Sequence, residues 1–360
     1  MKKRFLLVLT CIFVICCTGF SLAATRAELA AIHVSKAGNF QYWTEESPAK
    51  QALLNYVKTV TNEKSPDFIP VEDRIAVFDV DGTLMCETAP TYFDQLMYFH
   101  RMYKDSSWKP SADLLAAAQV VKDGAKSGKT ELERELIFGN SRAKAFAGMS
   151  RADFTKYIQH FMEEPVEGIT NLKRGEAFYL PMVEVVSYLK ANDFTVYIVS
   201  GCDRDSLRAL ADGILPISPG RIIGTDTNYV ASHQNGENGI TYQYRKDDEL
   251  VRGEYLVTNV KMNKVSAIVK EIGQQPVLAF GNSTGDFSMF QYTTMRNKYK
   301  SAAFTLLCDD MDREFGNQKK AAAMVKSAAE NGLVTVSMKN DFKTIYGDTV
   351  KKVKNVQKAS

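Results

Sequence analysis

The sequence predicts an α/β protein in which a long helical segment interrupts a β-sheet after its first strand. An apolar run of β-forming residues leads directly into Asp79, and Gly82 follows as a turn residue. Helical patterns then replace the strand pattern up to Thr195, where apolar strands resume and alternate with amphipathic helices. This alternation is typical of α/β folds, and 360 residues are enough for one large domain or two smaller ones.

The first 23 residues have the layout of a secretory signal. A basic start (2–4) precedes an apolar run (5–20), and small residues follow. We predict cleavage after Ala23, with Ala24 as the second choice, and therefore an extracytoplasmic protein that is either periplasmic or secreted. A retained membrane anchor is the alternative, although the apolar run is short for a span of about 20 residues.

The basic residues of this signal account for the whole formal net charge of +3. The remaining chain is neutral, which gives no electrostatic case for a nucleic acid or membrane surface as partner. We therefore expect no stable membrane association after cleavage. Three cysteines remain, Cys86, Cys202 and Cys308. Buried free thiols are predicted for them, and a disulfide between Cys86 and Cys202 is the alternative.

Composition and pattern divide the mature chain into four parts. They are a helical arm at 24–70, an α/β core at 71–90 and 180–350, a helical insertion at 91–179 and a flexible, Lys-rich tail at 351–360. Asn-Gly steps between β-rich runs at 217–260 predict a peripheral hairpin.

Asp79 and Asp81 follow the first strand at its carboxyl end, where open α/β sheets bind their ligands. Alternation along an extended chain places both carboxylates on the same side, with Cα atoms about 7 Å apart. Two acids this close repel unless one is protonated or a cation lies between them. A hard cation such as Mg²⁺ suits these oxygens, and one acid can then be a nucleophile while the other transfers a proton. An ordinary Asp-x-Asp-Gly turn is the alternative.

The string FDVDGTL (78–84) resembles the first motif of the haloacid dehalogenase superfamily in its phosphatase form. The resemblance implies that Asp79 is the nucleophile and Asp81 the general acid/base, that both contact Mg²⁺, and that Gly82 and Thr83 bind substrate. Dehalogenases of the superfamily lack the second Asp, so Asp81 argues against carbon–halogen chemistry. The resemblance also implies a doubly wound, mostly parallel sheet, with the helical insertion forming a cap like that of phosphoserine-phosphatase-like members.

Two further motifs of the superfamily are matched after the cap. Ser200 and Gly201 end a strand, where a hydroxyl and backbone amides donate to phosphate oxygens. Lys264, with Lys261 as the second choice, is the Lys expected to neutralise phosphate charge and keep the nucleophile ionised. Glu87 lies where the chain leaves the core for the cap, and the resemblance makes it a candidate contact for the non-phosphate part of the substrate.

The segment GNSTGD (281–286) resembles the fourth motif, which completes the Mg²⁺ shell. It assigns Asn282 and Asp286 to the metal, although the commoner form has Asp at position 282. The same residues fit the nucleophile elbow of α/β-hydrolases around Ser283 and a glycosylation acceptor at Asn282. The elbow requires a later His, and all four histidines precede Ser283. The acceptor would lie in a site-lining turn, so we interpret it as a chance match.

The resemblance as a whole implies a Mg²⁺-dependent phosphomonoester hydrolase that forms an aspartyl-phosphate on a small extracytoplasmic phosphate ester. The expected cofactor is Mg²⁺, and the expected partner is a small phosphorylated substrate rather than a nucleic acid. A phosphotransferase on the same core is one alternative. A non-catalytic phosphoester-binding protein with a degenerate site is the other, and Asn282 is its only support.

Overall fold

The computed structural model of the protein describes residues 24–353. The predicted signal and its cleavage site lie outside the described residues, as does most of the predicted tail. None of the helices within 24–353 combines the length and apolar character that a membrane crossing requires.

The core of the protein is a seven-stranded sheet with the strand order β5-β4-β3-β1-β6-β7-β8. All neighbouring strands run parallel except β4 and β5, which are antiparallel. Residues 24–353 form nine strands, which are β1 Ile75–Phe78, β2 Ile169–Thr170, β3 Thr195–Asp203, β4 Ile222–Ala231, β5 Leu250–Val257, β6 Leu278–Gly281, β7 Ala302–Leu307, β8 Val334–Ser337 and β9 Lys351–Lys352. The predicted fold class, a mostly parallel doubly wound sheet, is confirmed, and so is the predicted peripheral hairpin, formed by β4 and β5.

Helices cover both faces of the sheet because its strands are apolar on both sides. The α-helices of residues 24–353, those of the insertion included, are α1 Arg26–Ala30, α2 Pro48–Thr61, α3 Phe93–Tyr103, α4 Ala112–Asp123, α5 Glu131–Ala145, α6 Arg151–Met162, α7 Leu180–Ala191, α8 Arg204–Ala211, α9 Met262–Glu271, α10 Phe287–Thr294, α11 Gln318–Asn331 and α12 Met338–Asp341. In β1, Val77 packs with Ile268 of α9 and Phe290 of α10. Phe78 belongs to the larger cluster on the other face and stacks on Phe280, with ring centroids 4.2 Å apart.

The segment between β1 and α7 contains α3 to α6, as the prediction of a helical insertion requires. It also contains β2, which pairs antiparallel with β9 at the end of the chain. Val353 N donates to Gly168 O at 2.8 Å, and the Thr170 hydroxyl donates to Lys351 O. The start of the predicted flexible tail is therefore a strand, because pairing with the cap satisfies backbone groups that a frayed tail would leave to water.

A buried ion network joins the cap to the core. Arg142 of α5 pairs with Asp94 of α3, and Arg252 of β5 pairs with Asp203 at the end of β3 at 2.5 Å and with Asp205 at 3.1 Å. Asp203 N also donates to Asp94 Oδ2 at 2.5 Å. Because breaking a buried pair leaves an uncompensated charge, this network fixes α3 and α5 against the strands beneath them.

The N-terminal arm is attached to the core through Glu184 of α7. The backbone amides of Gln41 and Tyr42 donate to its carboxylate at 2.6 and 3.1 Å. The side chain is buried, and this burial raises its pKa to about 7, although the two amide donors act in the opposite direction. Because the folded protein holds the proton more tightly than the unfolded chain, Glu184 contributes stability below pH 4.5 that is lost as the pH rises to about 7.

Replacement of Glu184 with Gln is expected to remove this part of the pH dependence. Between pH 5 and pH 8 the wild type should lose up to about 3 kcal/mol more unfolding free energy than Glu184→Gln. Urea unfolding of both proteins at the two pH values measures the difference, and the exposed Glu46→Gln is the matched control. Equal losses in all three proteins would show that Glu184 is ionised throughout.

Candidate active site

The first predicted motif forms a tight turn at the carboxyl end of β1. Asp79 N donates to Phe280 O of β6 at 2.9 Å, which holds the start of the turn against the neighbouring strand. Gly82 has a φ of 77°, and a Cβ there would lie 1.8 Å from Asn282 Nδ2 and 2.5 Å from Glu87 Cδ. Only glycine fits this position. The turn therefore brings residues of the first and fourth predicted motifs into contact.

Lys264 connects two of the predicted acids. Its Nζ lies 2.7 Å from Asp79 Oδ1 and 2.6 Å from Asp286 Oδ1, and the side chain is 2% exposed. The other oxygen of Asp286 accepts from Asn282 N and Ser283 N, each at 3.0 Å, and from the Ser283 hydroxyl. Asp286 thus anchors Lys264 to the loop after β6, and both of its carboxylate oxygens are engaged. Its predicted direct contact with a metal stays a prediction.

Lys261, the second choice for the same role, points elsewhere. Its Nζ pairs with Glu131 Oε1 at 2.6 Å, at the start of cap helix α5, and both side chains are more than half exposed. The Lys261 backbone amide donates to Gly285 O at 2.9 Å. The geometry therefore selects Lys264 as the Lys of the site, and Lys261 links the cap to the loop that precedes α9.

The site holds more negative than positive charge. Burial raises the pKa of Asp79, and nearby Asp286 raises it further, while Lys264 opposes both. Burial also raises the pKa of Asp81 well above its usual value, with added repulsion from Asp79, Asp94 and Glu87. Burial alone would lower the pKa of Lys264, but its two acidic partners raise it. A carboxyl with a raised pKa suits proton transfer.

The side chains around this turn carry the oxygen atoms that a hard cation takes as ligands. Asp81 Oδ1 and Asn282 Nδ2 are buried with no hydrogen-bond partner among residues 24–353. Rotation of the Asn282 amide about its last torsion exchanges nitrogen for oxygen without changing its shape. Across the described part of the chain, no group of three or more His, Cys, Asp or Glu is arranged to hold a metal. The carboxylates of Asp79 and Asp81 with the Asn282 amide form an oxygen donor set of the kind that Mg²⁺ prefers.

The second predicted motif lies at the end of β3, next to β1 in the sheet. Ser200 is buried, and its Oγ accepts from Cys202 N at 3.3 Å. The Ser200 carbonyl accepts from the Asn259 side chain at 3.1 Å. Thr83, predicted to bind substrate, is fully buried, and its hydroxyl has no partner among the described residues. The hydroxyl of Thr83 thus lies beneath the turn rather than on its surface.

Glu87 has a cationic partner that the sequence analysis did not identify. Lys320 of α11 places its Nζ 2.5 Å from Glu87 Oε1, and Glu87 is buried beside the first turn. The only sequence signal for Lys320 is its position near the start of the helix after β7, since such helix starts adjoin the carboxyl edge of a parallel sheet. The negative charge of Glu87 is thus balanced by Lys320 within the protein. The predicted contact of Glu87 with the substrate stays a prediction.

The cap contributes further groups that the sequence analysis did not identify. Tyr92 directly precedes α3 and is half exposed. Partial burial and the charges of Glu87, Asp81 and Asp79 raise its pKa. Asp94 adds to the electrostatic environment of Asp81 in the same way. The start of the cap therefore adds to the electrostatic environment of the site.

The remaining sequence expectations concern reactive side chains. Cys86, Cys202 and Cys308 are buried free thiols, as predicted, so the alternative disulfide is not formed. Asn282 is 3% exposed, a depth at which it cannot accept a glycan. Ser283 donates its hydroxyl to Asp286, which is a structural bond rather than the Ser–His contact of an esterase.

Comparison with known proteins identifies the family. Residues 76–291 match the family model described as haloacid dehalogenase-like hydrolase, which covers more than half of the chain. No curated protein sequence matches at a significant level. A conserved protein of unknown function from Anaerococcus prevotii DSM 20548 has a similar structure, with 14% identity, a TM-score of 0.51, and coverage of 86% of this chain and 97% of that one. This likeness shows the fold alone.

Two other solved structures are less similar. Cytosolic 5'-nucleotidase IIIB bound to cytidine has 10% identity and a TM-score of 0.47, over 82% of this chain and 86% of that one. A phosphoserine phosphohydrolase-like protein from Francisella tularensis subsp. tularensis SCHU S4 has 15% identity and a TM-score of 0.37, over 71% and 98%. The family match and the sheet topology agree with each other, and the chain therefore belongs to the haloacid dehalogenase-like hydrolases.

Proposed function

We propose that this hydrolase is a Mg²⁺-dependent phosphomonoesterase that uses Asp79 as a covalent nucleophile. The observation that carries the proposal is the position of Lys264, bonded to both Asp79 and Asp286 next to Asp81. A buried Lys in this place orients one carboxylate and adds positive charge where a dianionic phosphoryl group must bind. A non-catalytic binding protein has no need of a nucleophile held in this way.

The first step transfers the phosphoryl group to the protein. An oxygen of Asp79 attacks phosphorus in line with the leaving oxygen, so the Asp79 O–P bond forms as the ester P–O bond breaks. Asp81 gives its proton to the leaving oxygen, which departs as a neutral alcohol. The raised pKa of Asp81, caused by burial and neighbouring acids, supports this role because it favours the protonated form that must donate to the leaving oxygen.

The second step regenerates the enzyme. Asp81, now ionised, takes a proton from water, whose oxygen attacks phosphorus and releases the carboxylate of Asp79. Ser200 and the backbone N–H of Gly201 orient the transferring group through hydrogen bonds. Asp79, Asn282 and the ionised form of Asp81 would hold Mg²⁺, with Asp286 anchoring the loop of Asn282, and the ion would supply charge neutralisation for the phosphoryl oxygens.

The proposed substrate is a small phosphate ester outside the cytoplasm, because residues 1–23 have the layout of a secretory signal. The test is phosphate release by the purified mature protein from a panel of phosphate monoesters. We expect release that depends on Mg²⁺, is lost with EDTA and returns when Mg²⁺ is added back. Addition of an alcohol acceptor separates hydrolysis from phosphotransfer by its products. Failure to release phosphate from any ester in Mg²⁺ would contradict the proposal.

A further inference from the structure

The loop between β5 and α9 contacts three elements of the candidate site. Asn259 donates from its Nδ2 to the Ser200 carbonyl at 3.1 Å. Two residues later, the backbone of Lys261 donates to Gly285 O at 2.9 Å, in the loop of the fourth motif. Lys264 itself follows in the first turn of α9. One short segment is thus bonded to the second motif, carries the third and is bonded to the fourth.

Asn259 and Thr225 together hold two consecutive carbonyl groups of the second motif. The Thr225 hydroxyl donates to Gly201 O at 2.6 Å, and it accepts from Asn259 N at 3.0 Å. The side chain of Asn259 therefore binds the Ser200 carbonyl directly. Its backbone N–H binds the Thr225 hydroxyl, which in turn binds the Gly201 carbonyl. Both residues are 2% exposed, so water does not compete freely for these carbonyls.

These contacts determine where the neighbouring N–H groups point. A peptide unit is planar and trans, so its N–H points away from its C=O. With the Ser200 carbonyl turned toward Asn259, the N–H of Gly201 is turned to the opposite side. With the Gly201 carbonyl turned toward Thr225, the N–H of Cys202 is directed at Ser200 Oγ, which it reaches at 3.3 Å. Because the Ser200 oxygen accepts this bond, its own hydrogen is available for another acceptor.

We propose that Asn259 is a positioning residue that, with Thr225, directs the Gly201 N–H and the Ser200 hydroxyl toward the transferring phosphoryl group. The inference rests on the proposed function, since it requires a phosphoryl group at the second motif. Asn259 touches neither substrate nor nucleophile and acts through the two peptide units. Val260, next to Asn259, also packs closely on the second motif, since a Cβ on Gly201 would lie 2.9 Å from Val260 Cγ1.

Loss of the Asn259 side chain is expected to weaken stabilisation of the transition state more than binding of the substrate. Donors placed for developing charge contribute more to kcat than to ground-state binding. Loss of one such donor typically costs 10²–10³ in kcat, and a misdirected donor should cost less. We therefore expect Asn259→Ala to lower kcat by about 10- to 100-fold, with KM within about threefold of the wild type. Inhibition by orthovanadate should weaken by a factor similar to that of kcat, and inhibition by inorganic phosphate should weaken much less.

The matched control is Asn263→Ala. Asn263 Nδ2 donates to the Thr258 carbonyl of the same loop at 2.9 Å and has no bond to Ser200. The Asn263→Ala substitution removes one side chain–backbone hydrogen bond from the loop and should leave kcat unchanged. A second pair tests the neighbouring contact, from the Thr225 hydroxyl to the Gly201 carbonyl: Thr225→Ser keeps the hydroxyl and should retain wild-type kcat, whereas Thr225→Val removes it and should lower kcat.

The measurements are kcat, KM and the two inhibition constants for the mature protein and these variants, with melting temperatures as a check on folding. A kcat of Asn259→Ala within about twofold of the wild type, or an equal loss in Asn263→Ala, would overturn the inference while leaving the proposed function standing. If Asn259→Ala does not fold, equal activity of Thr225→Ser and Thr225→Val overturns it. A wild type that releases no phosphate from any ester overturns the proposed function and this inference together.

Discussion

Asp79→Asn is expected to reduce kcat for phosphate-ester hydrolysis by about 10⁴-fold or more, the scale seen when a covalent nucleophile is removed. The amide cannot form the acyl phosphate on which both chemical steps depend. Lys264 keeps its second partner, Asp286, at 2.6 Å, so the variant should remain folded. Steady-state assays on the best ester of the panel, together with a thermal melt, measure both effects.

The control for this substitution is Asp67→Asn. Asp67 lies before β1 and pairs with Lys300 at 2.8 Å on the surface. Exposed pairs of this kind contribute about 0–1 kcal/mol to stability, and this one lies outside the site. Its kcat should equal that of the wild type. If Asp79→Asn and Asp67→Asn were equally active, Asp79 would not be the nucleophile.

Lys264→Met is expected to cost both activity and stability. The substitution leaves the carboxylates of Asp79 and Asp286 buried without their shared cation, and breaking a buried pair typically costs about 3–5 kcal/mol. Because burial and repulsion from Asp286 already raise the pKa of Asp79 to about 6, Asp79 escapes this cost by binding a proton at low pH. The loss of unfolding free energy should therefore be largest at pH 8 and clearly smaller at pH 5.

The matched control is Lys261→Met, three residues earlier on the same loop and helix. Its surface pair with Glu131 should contribute less than about 1 kcal/mol, without the pH dependence described above. We expect Lys264→Met to lose at least about 10³-fold in kcat and Lys261→Met to keep wild-type kcat. The opposite ranking would mean that Lys261 moves into the site during turnover and that Lys264 has a structural role.

Local patterns are sufficient to predict the elements that form the candidate site. The apolar run before Asp79 is short and rich in β-formers, which favours a buried strand, and the acids that follow then lie at the carboxyl edge of the sheet. Gly82 is required by a positive φ and by the close approach of Asn282. The choice of Lys264 over Lys261 also follows the motif spacing, and the observed bond to Asp79 agrees with that choice.

Other features depend on contacts between distant parts of the chain, so no local pattern could identify them. Lys320 meets Glu87 across 233 positions of sequence, and Asn259 meets Ser200 across 59. Arg142 of the cap resembles any surface residue of an amphipathic helix until α5 packs over β3 and β5. Strand β9 likewise forms only because β2 of the cap offers it an edge. Each of these interactions is set by packing of the whole fold.

The most direct test of the account is to find where the phosphoryl group resides during turnover. Mature protein is mixed with excess ester and Mg²⁺, quenched in acid within milliseconds, digested and analysed by mass spectrometry. The account predicts one added phosphoryl group on the peptide that contains Asp79, lost upon treatment with hydroxylamine and absent in Asp79→Asn. A phosphorylated peptide from another part of the chain, or rapid turnover with no phosphorylated peptide in a quench series that resolves the first turnover, would contradict it.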